Sequence, residues 1–169
     1  MQREDLKREN EFQNDVEYEL LHRYRPPMPT SLTRTEKEFD EWMAKPDTHS
    51  IDFAIEADGK YIGSCSLYTH GRFAGTAELA IGIGDRDYWG KGYGREVVSL
   101  LVDYGFRILN LHKISLTVMS NNERAIRSYR AAGFVEEGRL SRHAWSGGRY
   151  VDVVHMGIFR DGADGRTDR

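Results

Sequence analysis

Three glycines stand at alternate positions in residues 88–95, where the chain reads Tyr-Trp-Gly-Lys-Gly-Tyr-Gly-Arg. A strand-like apolar run, 77–83, precedes them, and a helix-like run, 96–104, follows. Glycine has no Cβ, so the backbone can come close to a ligand. The unpaired N–H groups at the start of the following helix, together with the helix dipole, favour a phosphate at that place. The segment therefore predicts a loop that binds a phosphorylated ligand.

The spacing of these glycines excludes two familiar phosphate motifs. A dinucleotide fingerprint that starts at Gly90 and Gly92 needs a third glycine where Arg95 stands. A P-loop needs a serine or threonine after its lysine, but Lys91 is followed by Gly92, and position 85 is an aspartate. A glycine-rich turn without any ligand remains an alternative for this segment taken alone.

The strand before the loop, 75–84, has two very different faces, because successive side chains of a strand point to opposite sides. One face is apolar and predicts core positions: Ala77, Leu79, Ile81 and Ile83. The other face is nearly bare: Thr76, Glu78, Ala80, Gly82 and Gly84. So little bulk in a strand indicates close approach by a ligand or by another part of the backbone. Glu78 is therefore a candidate general base, with a solvent-exposed strand glutamate as the alternative.

A second candidate pair lies on the helix predicted over 122–132. Asn122 and Tyr129 are seven residues apart and share a face of that helix. Tyr129 could equally be a packing residue, and Asn122 could equally be an N-cap. The six histidines show no metal-ligand spacing, so no metal is expected. Cys65 has no partner motif and is predicted to be a small buried residue without a chemical role.

Length and composition describe an ordinary globular domain. The 169 residues suit one domain, predicted over 1–160, followed by a polar tail, 161–169, that is predicted to be disordered. A net charge of −3 provides no electrostatic case for nucleic-acid binding. No apolar run approaches the roughly 18 residues of a membrane span, and a lone cysteine indicates no oxidising compartment. We therefore expect a cytoplasmic protein that binds neither nucleic acid nor membrane.

Periodicity predicts an α+β chain with a mixed sheet and helices packed on its faces. The predicted helices are 4–22, 33–45, 96 to about 109, and 122–132. The predicted strands are 51–56, 61–68, 75–84, 112–119, 134–145 and 150–159. Gly133 is expected to close the last helix, and a turn at 146–148 is expected to join the final two strands.

Two segments together resemble the GNAT superfamily of acetyl-coenzyme A-dependent N-acetyltransferases. Ala77-Glu78-Leu79 followed by Trp-Gly-Lys-Gly-Tyr-Gly at 89–94 is similar to the acyl-CoA signature of that family. The run from Asn122 to Tyr129, which ends in Gly133-Phe134, is similar to its second signature. The likeness extends over about 75–159. Residues 110–114 and 148–153 further resemble the RimJ/RimL and spermidine acetyltransferase branch.

This resemblance implies a mostly antiparallel sheet of about six to seven strands and a direct acetyl transfer, without an acyl-enzyme, from acetyl-CoA to a primary amine. Glu78 would be the base, and Tyr129 would protonate the leaving thiolate. The residues that would bind acetyl-CoA are Ala80, Ile81, Gly82, Ile83, Trp89, Gly90, Lys91, Gly92, Tyr93, Gly94, Arg95, Asn122 and Ala125. Among them, residues 90–95 would hold the pyrophosphate, 80–83 the pantetheine arm, and a backbone N–H near Ile81 the thioester carbonyl.

The chain departs from the pattern at two places. Many relatives have glutamine or arginine where Trp89 stands, so the backbone is expected to provide the phosphate contacts there. Residues 2–6 show no strand pattern where the first strand of the family is expected, which leaves that sheet edge undetermined. Acceptor choice is expected to depend on 11–35 and on the hairpin around 142–150.

Several alternatives remain open from the sequence. A protein N-terminal amine and a polyamine or other small amine are comparable acceptors, with the acidic residues of 9–19 slightly favouring a cation. An acyl-CoA-binding regulatory or structural module without turnover is a different class of function, and a nucleotide-binding domain is a more distant one. A homodimer or larger homo-oligomer is one expectation for the assembly.

Overall fold

The computed structural model describes residues 1–24, 26–45, 49–69 and 75–160. Within these ranges the helices are α1 (Leu6–Gln13), α2 (Val16–His22), α3 (Leu32–Ala44), α4 (Tyr93–Arg107) and α5 (Glu123–Ala131). The strands are β1 (Ser50–Ala57), β2 (Lys60–Thr69), β3 (Thr76–Ile83), β4 (Lys113–Met119), β5 (Val135–Ser146) and β6 (Arg149–Phe159). Short 3₁₀ turns cover Arg3–Asp5 and Arg86–Tyr88. The predicted α+β class is confirmed.

The six strands form one sheet in the order β1-β2-β3-β4-β6-β5. Every neighbouring pair is antiparallel except β3 and β4, which run parallel. That parallel pairing covers only Thr76–Glu78 against Lys113–Ser115. Beyond these residues β3 continues to Ile83 and β4 to Met119 without a common ladder, so a gap opens between their carboxyl ends.

Helices pack on both faces of this sheet. On one face, Val98 and Leu101 of α4 belong to the same buried cluster as Leu79 of β3. On the other face, α1 and α2 place aromatic rings against the two glycines of the β3 segment. A Cβ on Gly84 would lie 2.1 Å from Cγ of Phe12, and one on Gly82 would lie 2.2 Å from the Tyr18 hydroxyl oxygen.

The bare face of β3 is therefore explained in part by helix packing. At Gly82 and Gly84 the space that a side chain would need is filled by Tyr18 and Phe12, whereas contact of residues 80–83 with a pantetheine arm stays a prediction. A strand glycine indicates close approach without saying what approaches, and here the neighbour is the protein itself.

The predicted helix over 4–22 is divided in the structure at Asn14 and Asp15. The Asp15 carboxylate accepts hydrogen bonds from the backbone N–H groups of Glu17 and Tyr18 and so begins a new helix, α2. Asn14 is the last residue with helical backbone before the extended Asp15, and its side chain hydrogen-bonds with the Thr30 backbone. The other predicted elements lie within a few residues of their observed bounds. The predicted disordered tail, 161–169, lies outside the described residues.

No strand occurs in the described residues before β1, and Arg3–Asp5 form a 3₁₀ turn that leads into α1. Among the residues that the structure describes, no helix combines the length and the apolar character needed to cross a membrane.

Candidate active site

A cavity of about 740 Å³ occupies the gap between the carboxyl ends of β3 and β4. Its walls are β3 from Glu78 onwards, the end of β4, the glycine loop, the first turns of α5 and the end of α2. The predicted site residues that line it are Glu78, Ala80, Ile81, Ile83, Trp89, Gly90, Lys91, Gly92, Gly94, Arg95, Asn122, Ala125 and Tyr129.

Two predicted site residues do not line the cavity. Gly82 is buried under Tyr18 of α2. The ring of Tyr93 packs edge-on against Tyr88, with 5.3 Å between the ring centroids. The fold therefore brings together the two signature segments that are distant in sequence, while individual members of each segment serve packing.

The glycine loop has the geometry of an anion cradle. Gly90 and Gly92 adopt positive φ angles of 74° and 97°, a region that other L-residues rarely occupy. The first hydrogen bond of α4 runs from the Glu96 N–H to the Gly92 carbonyl. In the described part of the chain, the N–H groups from Gly92 to Arg95 make no hydrogen bond of their own, as expected at a helix N-terminus. They are available to a phosphate.

Trp89 is held in place at the base of this loop. Its indole N–H donates to the Ile83 carbonyl at 2.6 Å. The guanidinium carbon of Arg124 lies 3.7 Å from the Trp89 ring centroid, a close cation–π contact. Among the described residues no carboxylate lies within ion-pair distance of Arg124, and burial lowers its pKa. Within the described residues, the loop thus has beside it a guanidinium that contacts the Trp89 ring and forms no ion pair, although the more distant Glu17 charge acts on it.

Arg124 is a site residue that the sequence interpretation missed. The phosphate contacts were assigned to the backbone alone because position 89 is a tryptophan. The only sequence signal for Arg124 was its place in the second signature, two residues after Asn122. Nothing in that signature shows that the side chain reaches across to the loop.

Asn122 performs the structural role that was its alternative interpretation. Its side-chain oxygen accepts a hydrogen bond from the Ala125 N–H at 3.2 Å and caps α5. Its side-chain nitrogen donates to the Leu21 carbonyl at 3.5 Å, which ties the end of α2 to the start of α5. The N-cap interpretation is confirmed, and contact with pantetheine stays a prediction.

Tyr129 is buried, with only 8% of its surface exposed, yet it lines the cavity. Its ring packs against Phe134, with 6.1 Å between centroids. Burial raises the pKa of Tyr129 to about 12. The hydroxyl therefore keeps its proton near neutral pH and can act as a donor.

Glu78 is linked by hydrogen bonds to two residues that the sequence did not single out. The Thr117 hydroxyl of β4 donates to Glu78 Oε1 at 3.4 Å. The Tyr24 hydroxyl, on the segment after α2, donates to Thr117 Oγ1 at 2.9 Å. Neither residue belongs to a motif, so only the folded chain reveals this arrangement.

Two other titratable side chains, His22 and Cys65, are not assigned a role in the reaction. His22 lines the wall, stacks on Tyr18 with 4.1 Å between centroids, and has its pKa lowered by burial. Cys65 is buried in β2 away from the cavity, and burial raises the pKa of its thiol to about 11. No cluster of three potential metal ligands occurs among the residues that the structure describes.

Comparisons with known proteins agree with this geometry. The family model for an acetyltransferase (GNAT) domain matches residues 1–135. The spermidine N(1)-acetyltransferase of Escherichia coli K12 is 38% identical over 108 residues, which are 64% of this chain and 58% of that protein. The corresponding Vibrio cholerae protein is 39% identical over 109 residues, 64% of this chain and 62% of that one. The aligned part thus spans less than two thirds of these relatives.

The structural comparison covers more of the molecule. A crystal structure of spermidine N-acetyltransferase from Vibrio cholerae in complex with CoA and spermine superimposes with a TM-score of 0.83 and 31% identity. That match covers 95% of this chain and 93% of the other. A family model over most of the chain and a solved relative of nearly equal extent lead to the same family. The chain belongs to the GNAT acetyltransferases.

Proposed function

We propose that the protein transfers an acetyl group from acetyl-CoA to a primary amine. One observation carries this proposal: a single cavity joins an anion-binding loop, a carboxylate and a protonated phenol. Each feature alone has an ordinary structural explanation. Their meeting in the gap between β3 and β4 suits a reaction that needs a phosphorylated donor, a base and an acid.

The donor side of the cavity fits CoA. The free N–H groups from Gly92 to Arg95 point to the place where a pyrophosphate would be bound. Arg124 adds a positive charge that forms no ion pair with a carboxylate in the described residues. The edge of β3 beyond Glu78 has no neighbouring strand on the β4 side, which leaves backbone groups for the amides of pantetheine.

The acceptor must first lose a proton, because an alkylammonium ion with a pKa near 10 is not a nucleophile. Glu78 would accept that proton, directly or through water. The amine nitrogen would then attack the thioester carbonyl, and the carbon–sulfur bond would break as the amide forms. Tyr129 would donate its proton to the departing thiolate, and the second proton that the nitrogen loses as the amide forms would restore the phenol, directly or through water. The transfer therefore needs no acyl-enzyme.

The relatives favour a polyamine over a protein N-terminus as the acceptor. The Escherichia coli and Vibrio cholerae relatives are spermidine acetyltransferases by name, and one solved relative is a complex with spermine. A carboxylate inside the cavity is compatible with a cationic substrate. We infer that the acceptor is a polyamine or a similar small primary amine.

The test is an amine panel that contains spermidine, spermine, a diamine and a peptide with a free N-terminus. Release of free CoA thiol from acetyl-CoA is measured with each, and we expect turnover with the polyamines. Turnover with the peptide alone would reverse the acceptor assignment. CoA binding without turnover for any amine, unchanged in Tyr129→Phe, would instead identify an acyl-CoA-binding module.

Location and assembly are further parts of the proposal. A cytoplasmic protein is consistent with the single cysteine, which cannot form an internal disulfide. Self-association is supported by β5, a long strand at the sheet edge whose positions are nearly all exposed. Trp145 and Tyr150 near the hairpin turn are also exposed. Sedimentation of the purified chain distinguishes a monomer from a homo-oligomer.

A further inference from the structure

The hydrogen bonds of Thr117 join three parts of the molecule that are far apart in sequence. Tyr24 follows α2, Glu78 is the last β3 residue in the parallel ladder, and Thr117 lies two residues beyond the last paired position of β4. Thr117 therefore stands where the gap begins, on the same side of β4 as Ser115, which pairs with Glu78. Its hydroxyl crosses from one strand to the other at a place where no backbone hydrogen bond does so.

The chemistry of Tyr24, Thr117 and Glu78 fixes which group is the donor in each of these two hydrogen bonds. An ionised carboxylate only accepts hydrogen bonds, so Thr117 must use its one hydroxyl proton on Glu78. The Thr117 oxygen is then left as an acceptor, and Tyr24 fills that place with its own proton at 2.9 Å. Burial and the charge of Glu78 raise the pKa of Tyr24, so that proton is retained near neutral pH.

Packing alone does not account for the position of Tyr24. The residue is 51% exposed, and it belongs to neither buried cluster of the described chain. Its hydroxyl group is held by the hydrogen bond to Thr117, and both residues line the cavity. A half-exposed residue whose hydroxyl is hydrogen-bonded in the cavity wall indicates a role that depends on that hydroxyl.

We propose that Thr117 and Tyr24 are positioning residues for the base: Thr117 orients the Glu78 carboxylate towards the acceptor amine, and Tyr24 fixes the direction of the Thr117 hydroxyl. This rests on the proposed acetyltransferase function. The Thr117–Glu78 distance of 3.4 Å is long for a hydrogen bond, as is common before substrates are bound. Thr117 and Tyr24 do not themselves exchange protons with the amine.

The test compares turnover of variants with the polyamine that reacts best in the panel. Thr117→Val keeps the shape of the side chain and removes the hydroxyl, so kcat is expected to fall about tenfold while KM for acetyl-CoA is unchanged. Thr117→Ser restores the hydroxyl and is expected to recover kcat to within about twofold of the original. Tyr24→Phe leaves Thr117 without its donor and is expected to lower kcat about threefold.

The Glu78→Gln background decides whether these effects act through the base. If Thr117 works only by orienting Glu78, adding Thr117→Val to Glu78→Gln causes no further loss. A further tenfold loss in that background, or full activity of Thr117→Val in the original chain, overturns the positioning role and leaves the proposed function intact. Because Tyr24 is exposed, Tyr24→Phe keeps the test valid if Thr117→Val fails to fold.

Failure of the underlying function has a different signature. If the Glu78→Gln variant is as active as the original, Glu78 is not the base. In that case there is no reason for Thr117 to orient its carboxylate. Absence of turnover by the original chain with every amine removes both proposals together.

Discussion

The proposed donor end and the proposed acceptor end of the cavity are built in contrasting ways. At the proposed donor end, the candidate binding groups are the consecutive backbone N–H groups from Gly92 to Arg95 at the start of α4. At the acceptor end, single side chains converge from Tyr24, Glu78 and Thr117, and the first and last of these are 93 residues apart. The residues of the donor end are consecutive in sequence, whereas those of the acceptor end come together only in the folded protein.

This difference predicts different responses to mutation. Backbone groups survive most side-chain changes, so the donor end should be sensitive only where the backbone conformation itself requires glycine. At the acceptor end the contacts are made by side chains, so a substitution that removes one hydroxyl or carboxylate should remove the contact itself. Tyr129 lies on α5, which borders both ends, and its replacement should have the largest effect on turnover.

Tyr129→Phe is expected to lower kcat about 100-fold or more, because the leaving thiolate loses its proton donor. Acetyl-CoA affinity should stay within about twofold, since the phenyl ring retains the packing against Phe134. Thiol release gives kcat and a CoA titration gives the affinity, with Tyr104→Phe as the matched control, because that ring packs on Phe53 outside the cavity. A kcat within threefold of the original would remove Tyr129 as the acid.

Gly84→Ala is expected to lower the free energy of unfolding by about 2 kcal/mol through overpacking against Phe12. Urea unfolding measures the change. Gly138→Ala is the control, because a Cβ there meets nothing within 4 Å. Combining Gly84→Ala with Phe12→Leu should cost less than the sum of the two single changes. Strict additivity would mean that the helix does not occupy this face of β3.

Gly92→Ala is expected to weaken CoA binding about tenfold, because alanine is strained at a φ of 97° and the loop must shift. Titration calorimetry with CoA measures the affinity, and Gly138→Ala again serves as the control. An unchanged affinity would show that the donor end does not depend on this backbone conformation.

Arg124→Gln is expected to weaken CoA binding about fivefold at low salt, and the difference should shrink as salt screens the charge. The matched control is Arg107→Gln, an exposed arginine of α4 that is paired with Asp103 within its own helix. A salt-independent loss would assign Arg124 to packing on Trp89 rather than to phosphate contact.

The smallest expected effect concerns the link between the two ends, where Arg86 beside the loop bonds to Asp15 at the start of α2 at 2.7 Å. Arg86 holds the pKa of Asp15 below its ordinary value of 3.8, so this stabilisation is present above about pH 4 and is lost as pH falls through the lowered pKa. Asp15→Asn keeps the helix cap and should cost about 0.5 kcal/mol at pH 7.

Urea unfolding at pH 7 and near pH 3 measures that difference, which should shrink at the lower pH because the original chain then loses the same ion pair. A cost that is equal at both values would mean that the Asp15 charge contributes nothing to stability.

Sequence interpretation succeeded where the chemistry is carried by neighbouring residues. The loop around Gly90 and Gly92 was predictable because a strand, alternate glycines and a helix follow one another directly. It could not show that Tyr18 and Phe12 approach Gly82 and Gly84, because a missing side chain indicates that something comes close without saying what. It also missed Arg124, whose contact with the ring of Trp89 depends on how α5 lies against the loop.

The amino-acid sequence by itself determined the fold class, the family and the existence of the glycine loop, because hydrophobic periodicity, signature motifs and backbone conformation are local properties. Only the tertiary structure decided which residues surround Glu78. Strand divergence after the short β3–β4 ladder opens the cavity, and the return of α2 over the sheet brings Tyr24 to Thr117. These contacts depend on packing between distant segments, and no spacing along the chain encodes them.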